Sequence, residues 1–137
     1  MKTFYNFDGT ISTCTIIDGN NIFVGTAFCH EDDADMASER TGLFIAEGRA
    51  IIKRYQHIKN NQLKPAIQIL KHLENNLRQS KYFNEKSHDF IMLQRQIRIK
   101  EEELDVIEQQ LAMEKQGLKE YIAQKDKLYT KIRKGQK

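Results

Sequence analysis

Residues 3–28 read TFYNFDGTISTCTIIDGNNIFVGTAF, three runs of β-branched and aromatic residues separated by two Asp-Gly pairs. Thr, Ile, Val and Phe suit a pleated, half-buried surface, so Thr3 to Phe7, Thr10 to Ile17 and Ile22 to Phe28 are predicted strands. Asp8-Gly9 and Asp18-Gly19 supply the positive-φ residues that tight hairpin turns demand, which makes the three strands consecutive and antiparallel. Three short strands cannot bury two faces alone, so one face must lie on a helix or on a second copy of the chain.

Beyond the strands the periodicity changes. Cys29-His30 is followed by Glu31-Asp32-Asp33-Ala34-Asp35, carboxylates that suit the unpaired N–H groups of a helix start, and a first helix is expected from near Asp33 or Asp35. It carries Met36, Leu43, Phe44, Ala46, Ala50 and Ile51; the polar stretch Lys59 to Gln62 is the expected break. Pro65, the only proline, then opens a second helix with Ile67, Leu70, Leu73 and Leu77. Residues 80–88 form a linker with Ser87 as a cap candidate. From Phe90 two columns repeat every seven residues: Phe90, Ile97, Leu104, Leu111, Leu118, Lys125, Ile132 and Leu93, Lys100, Ile107, Glu114, Tyr121, Leu128. Ten of these thirteen positions are apolar, the pattern of a coiled coil, and Lys100, Glu114 and Lys125 interrupt it as register-fixing charges do. A helix of about 45 residues spans about 65 Å and must pack on another helix, most economically its own copy.

The expectation is therefore an α+β chain: a small N-terminal antiparallel β-sheet, then helices, ending in a long coiled-coil-like helix. Its parts are a β-hairpin sheet over 1–32, two helices packed on the sheet over 33–79, and a linker with an oligomerisation helix over 80–137, one domain overall. A homodimer or a larger even-numbered oligomer follows.

Composition narrows the function. The chain has 137 residues, 39% hydrophobic and 30% charged, with a formal charge of +3. The charge is split: residues 1–40 hold two bases against seven acids, and the remainder carries +8. An acidic head on a basic helical body permits head-to-body contact between protomers. So mild a net charge argues against a specific nucleic-acid binder. No apolar run could span a membrane, the start lacks a signal peptide's apolar core, and two cysteines are too few for a disulfide framework. A cytoplasmic protein is expected.

Hydrolase and phosphate-loop motifs and the His-Glu-x-x-His zinc pattern are missing from the sequence. Cys14, Cys29, His30 and His57 match no common zinc spacing, and Glu31 to Asp35 lack the glycine of a calcium loop. The expectation is no enzyme, no metal and no cofactor. Between Arg78 and Arg98, in contrast, bases interleave with aromatics: Arg78, Lys81, Tyr82, Phe83, Lys86, Arg95 and Arg98, with Asn84 and His88 beside them. Guanidinium groups take phosphates bidentately and rings stack on bases, so this composition suits a nucleotide pocket. The same residues also read as a solvated helix face with Tyr82 and Phe83 sealing a helical core, and Asn84 as a turn cap.

At the strand-to-helix junction, Val24-Gly25-Thr26-Ala27-Phe28-Cys29-His30-Glu31-Asp32-Asp33, followed by Gly42, Ala46, Arg49 and Ala50, resembles a pattern of small phage and mobile-element proteins. There a strand ends in Gly-x-Ala-x-Cys, an acidic turn follows, and a helix carries Gly-x-x-x-Ala-x-x-Arg-Ala. The chain is most similar over residues 3–50 to the phage Thoeris anti-defence sponge family, the first-described class, and matches its helical remainder in outline. The resemblance implies a small sheet before long helices, dimers that associate further, and a non-enzymatic phage protein. Such a protein binds and sequesters the cyclic ADP-ribose isomer made by bacterial TIR-domain immune proteins, and in some members cyclic oligonucleotides, in the host cytoplasm. The implied pocket uses aromatic stacking and arginines at a protomer interface. On this reading Tyr82 or Phe83 stacks on adenine, Asn84 reads its edge, Arg95 and Arg98 hold the pyrophosphate, and Arg78 belongs to the same ligand-binding set. The alternative is a coiled-coil phage protein that uses its long helix to bind a host protein or DNA.

Overall fold

In the computed structural model, which describes residues 1–28 and 36–135, the strands are β1 (Lys2–Phe7), β2 (Ile11–Asp18) and β3 (Asn21–Phe28). They form one antiparallel sheet in the order β1-β2-β3. Both turns work as the Asp-Gly pairs require: Gly9 and Gly19 sit at φ 97° and 62°. Asp8 completes the first, its Oδ1 accepting from the backbone N–H of Ile11 at 2.7 Å and of Thr10 at 2.9 Å. The readings of Cys29, His30 and the acidic cap Glu31–Asp35 lie outside the described residues.

The register places Phe7, Tyr5 and Thr3, then Ser12, Cys14 and Ile16, then Ala27, Gly25 and Phe23 on one face. Over β2 and β3 this face is buried, with Cys14, Ile16, Phe23 and Ala27 forming a core with Ala46 and Ala50 of helix α1 (Met36–His57). Gly25 decides how close the two layers come. A Cβ there would overlap the carbonyl oxygen of Ala46 and lie 2.5 Å from the nitrogen of Ala50. The helix therefore rests backbone against backbone on the middle of β3. Arg49 and Lys53 tighten the junction, donating to the carbonyls of Thr26 at 2.7 Å and Val24 at 2.6 Å, alternate residues of an edge strand. Arg54 pairs with Asp18 at 2.9 Å. The other sheet face is uncovered and carries Phe4, Ile22, Val24 and Phe28 exposed.

The polar stretch expected to break the helix does not break it. Ile58–Leu63 is a π-helical segment, and α2 (Lys64–Arg78) continues directly from it, with Pro65 in its first turn. The physical reason is the spacing of apolar residues: Ile58 and Leu63 are five apart, and one π turn keeps both against the last helix, where they line a cleft with Ile99 and Ile107. The backbone hydrogen bonds of Lys59 to Gln62 are thus satisfied within a wider turn.

α3 (His88–Gly135) is a 48-residue helix, longer than the predicted 45, capped by Ser87 Oγ, which accepts from the N–H of Phe90 at 3.3 Å. The chain divides into two compact units, Met1–Arg54 with Leu111–Lys137, and Tyr55–Gln110. In the first, Phe44 meets Tyr121 with ring centroids 4.3 Å apart, and Gly48 lies under Leu118. In the second, α2 runs antiparallel to α3, with Lys59 paired to Glu108 and Lys71 to Glu101, while Leu63, Ile67, Phe90 and Ile97 are buried. The seam of α3 therefore packs on helices of the same chain. Helices of the same chain thus supply the packing partner that the heptad pattern most economically assigned to a second copy. Among the described residues no helix is long and apolar enough to cross a membrane.

A candidate nucleotide-binding cluster at the α2–α3 turn

The chain reverses direction through residues 79–87, and this turn is held by its own backbone together with the Asn84 side chain. The N–H of Phe83 donates to the Ser80 carbonyl at 3.2 Å, that of Ser87 to the Asn84 carbonyl at 3.0 Å, and that of Lys86 to Asn84 Oδ1 at 3.0 Å. Asn84 is thus a turn-former through its carbonyl group, with its amide nitrogen still able to donate.

Phe83 turns inward. Its ring meets Phe90 edge to face at 4.9 Å, and Phe90 is only 2% exposed. Arg78, at the end of α2, lies over this pair, its guanidinium carbon 4.9 Å from the centroid of Phe90 and 5.8 Å from that of Phe83. Glu74, one turn earlier, accepts from Arg78 Nε at 3.2 Å. The guanidinium is held between an aromatic floor and a carboxylate. Its side chain remains 44% exposed, so the donors beyond Nε are within reach of an anion.

Tyr82 is the opposite case. At 86% exposure it touches little of the fold, and Lys81 Nζ stands 5.9 Å from its ring centroid. An exposed ring with an ammonium beside it is free to stack on a base. Of the two aromatics proposed for stacking, Tyr82 presents its face to solvent, whereas Phe83 is committed to the core.

Arg95 and Arg98 are exposed on α3. At 100° per residue Arg95 lies about 165° from the seam defined by Phe90, Leu93 and Ile97, and Arg98 about 105° from it. Within one chain, then, Arg78, Phe83 and Phe90 come together with Tyr82 next to them in the turn, and the two α3 arginines face elsewhere. Sequence reasoning missed Glu74, whose signal was its i,i+4 spacing to Arg78. It also missed a neighbouring cleft of about 420 Å³ lined by residues including Leu73, Asn76, Leu77 and Gln96.

Among the described residues the groups with displaced pKa values lie in the sheet and its first turn. Burial and the nearby Glu47 carboxylate, which also accepts its hydrogen bond, push the Tyr5 hydroxyl up; burial and Glu47 raise the Cys14 thiol. The N–H groups of Ile11 and Thr10 hold the Asp8 carboxyl below its ordinary value. No set of three or more His, Cys, Asp and Glu side chains among the described residues could hold a metal ion. No protein-family model, curated protein or solved structure matches the chain.

Proposed function

We propose that this protein is a phage anti-defence sponge that binds an immune signalling nucleotide, a cyclic ADP-ribose isomer or a cyclic oligonucleotide, and sequesters it undegraded. The observation that carries the reading is the pairing of Arg78, braced over Phe90 by Glu74, with the free ring of Tyr82 four residues on. A phosphate and a base have one recognition group each there. The strand-to-helix resemblance to the Thoeris anti-defence sponges supports the same ligand class.

Magnitudes require more than one chain. Nanomolar retention corresponds to about 12 kcal/mol. One base stack supplies about 1–3 kcal/mol and one charged hydrogen bond about 1.5–3 kcal/mol, before the cost of association. Arg78 and Tyr82 alone fall short. On this proposal Arg95 and Arg98, turned away from their own seam, would serve the site of a second copy, and a homodimer or larger even-numbered oligomer would complete the pocket. Retention asks for no nucleophile and no general base, only burial and charge.

The test is native mass spectrometry with a panel of cyclic ADP-ribose isomers and cyclic di- and trinucleotides, followed by heat release and analysis of the ligand. The expected result is an intact nucleotide in fixed ratio to an even-numbered oligomer. Arg95→Ala and Arg98→Ala are each expected to weaken binding by more than about tenfold with the oligomer preserved. No retained nucleotide would overturn the function, and unchanged affinity in both variants would overturn the site.

A further inference from the structure

The sheet has two edges, and the chain treats them differently. On β3 the outward carbonyls are taken: Thr26 accepts from Arg49 and Val24 from Lys53, which fills the acceptors another strand would need. β1 has no such cover. Among the described residues nothing pairs with its outer side, and Lys2 to Asn6 are exposed, Phe4 by 52% and Tyr5 by 53%. Its stretch Thr3-Phe4-Tyr5-Asn6-Phe7 holds no charge and no proline, two of the devices that keep an edge strand from pairing.

The first turn decides which backbone groups of β1 face outward. The N–H of Asp8 donates to the Ile11 carbonyl at 3.3 Å, which makes Asp8 and Ile11 a hydrogen-bonded pair of the β1–β2 ladder. Such pairs alternate along an antiparallel ladder, so Asn6, Phe4 and Lys2 also spend their backbone groups on β2. The N–H and C=O groups of Phe7, Tyr5 and Thr3 point away from the sheet. A strand that pairs there must match this spacing, and β1 itself does. Two antiparallel copies related by a two-fold axis at Tyr5 place Tyr5 opposite Tyr5 and Thr3 opposite Phe7 at both ends, so that every outward residue bonds through both of its groups. The same register sets Lys2 of each copy opposite Asp8 of the other. Neither is in an ion pair within the described chain, and Asp8 uses Oδ1 for its turn bonds. Registers centred on Thr3 or Phe7 run off the strand and lose this charge match.

We propose that β1 is a homodimerisation edge, where two copies join antiparallel about Tyr5 into one continuous sheet in the order β3-β2-β1-β1-β2-β3. Tyr5, whose hydroxyl is held by Glu47, meets its twin across the ladder in an aromatic pair, and Phe4 on the opposite face lies beside Asn6 of the second copy. The interface belongs to the first unit alone and forms without nucleotide, unlike the pocket-completing contact of Arg95 and Arg98.

Sedimentation equilibrium of the full chain, joined to residue-by-residue hydrogen exchange by NMR, tests it. One strand of six residues a side makes a small interface, so a reversible dimer that dissociates on dilution is expected in the absence of nucleotide. Where the dimer is populated, the amides of Thr3, Tyr5 and Phe7 are expected to exchange about tenfold or more slowly than in the diluted chain, while Phe4 and Asn6, bonded to β2 in both states, change less. A monomer at every concentration would overturn the proposal. An oligomer in which Thr3, Tyr5 and Phe7 exchange as fast as in the monomer would overturn it too, because its contact lies on another surface. Thr3→Pro removes an outward N–H and leaves the β1–β2 bonds in place, so it is expected to weaken the dimer about tenfold or more with the circular dichroism spectrum unchanged. A Thr3→Pro chain that dimerises like wild type would refute the edge.

Discussion

Replacing Gly25 by alanine inserts one methyl group where there is no room for it. The added carbon would overlap the Ala46 carbonyl oxygen and lie 2.5 Å from the Ala50 nitrogen and 3.0 Å from the Ala46 carbonyl carbon. All three neighbours are backbone atoms of one helix, so no rotamer change relieves the overlap and α1 has to move off β3. Overpacking a tight core costs about 1–3 kcal/mol, and a site with only backbone to push against belongs at or above the top of that range. Exchanging glycine for alanine returns about 0.5–1 kcal/mol of backbone entropy, leaving a net loss of about 2–3 kcal/mol. For a chain of 137 residues this lowers Tm by about 6–10 °C. Gly48→Ala is the matched control. Its Cβ would lie 3.1 Å from Leu118 Cδ1, the mobile end of a side chain, and helix propensity favours alanine by about 1 kcal/mol. Thermal denaturation followed by far-ultraviolet circular dichroism compares the two. A Gly25→Ala protein melting within about 2 °C of wild type, or a Gly48→Ala protein losing as much, would refute the close-packing argument.

Phe90→Ala empties a site that is 2% exposed and is expected to cost about 3–5 kcal/mol in urea denaturation, whereas Tyr82→Ala, at 86% exposure, changes stability by less than about 0.5 kcal/mol and costs nucleotide affinity instead. A large stability loss in Tyr82→Ala would remove it as a free stacking surface. Because Asp8 titrates below its ordinary value in the folded chain, its contribution to stability is present above about pH 4 and is lost as pH falls through the folded value. Asp8→Ala is expected to lower Tm at neutral pH, with the gap to wild type closing in acid; a gap that persists would show that its turn bonds are not the cause. Tyr5 has the opposite sign. Its raised pKa favours the neutral hydroxyl, so its contribution holds below about pH 10 and fades as pH rises beyond it. Melts across that range are expected to fall more steeply for wild type than for Tyr5→Phe, and parallel curves would refute the Tyr5–Glu47 interaction.

The sheet was legible because its signals are local. Asp8-Gly9 and Asp18-Gly19 fix both hairpins, and alternation then fixes which residues point inward. Ser87 was legible as a cap for the same reason. The long heptad run correctly announced a long helix, but periodicity reveals only that a stripe must be covered. It carries no information on whether the cover is a second copy or an earlier helix, and α1 and α2 supply it. Lys59 to Gln62 misled because polar residues at a π turn resemble a loop when read with an α-helical ruler. At the candidate site, composition found Arg78, Tyr82 and Phe83, yet only coordinates separate a ring packed on Phe90 from one standing in water. Gly25, Ala46 and Ala50, which carry much of the resemblance, prove to be the contact between sheet and helix. Those positions report how the fold is joined and leave ligand choice to residues elsewhere.

The π segment makes the number of residues a constraint of its own. A π turn holds one residue more than an α-helical turn, so Ile58–Leu63 carries one residue beyond a regular helix of the same course. Removing a codon there would restore a regular helix yet swing Leu63, Ile67 and Leu70 about 100° around the axis of α2, carrying them off α3. Such a deletion would be damaging although it makes the local geometry more ideal. Reading frames that preserve this fold should therefore tolerate substitutions at Asn60 and Asn61 far more readily than any change in the number of residues between Ile58 and Leu63.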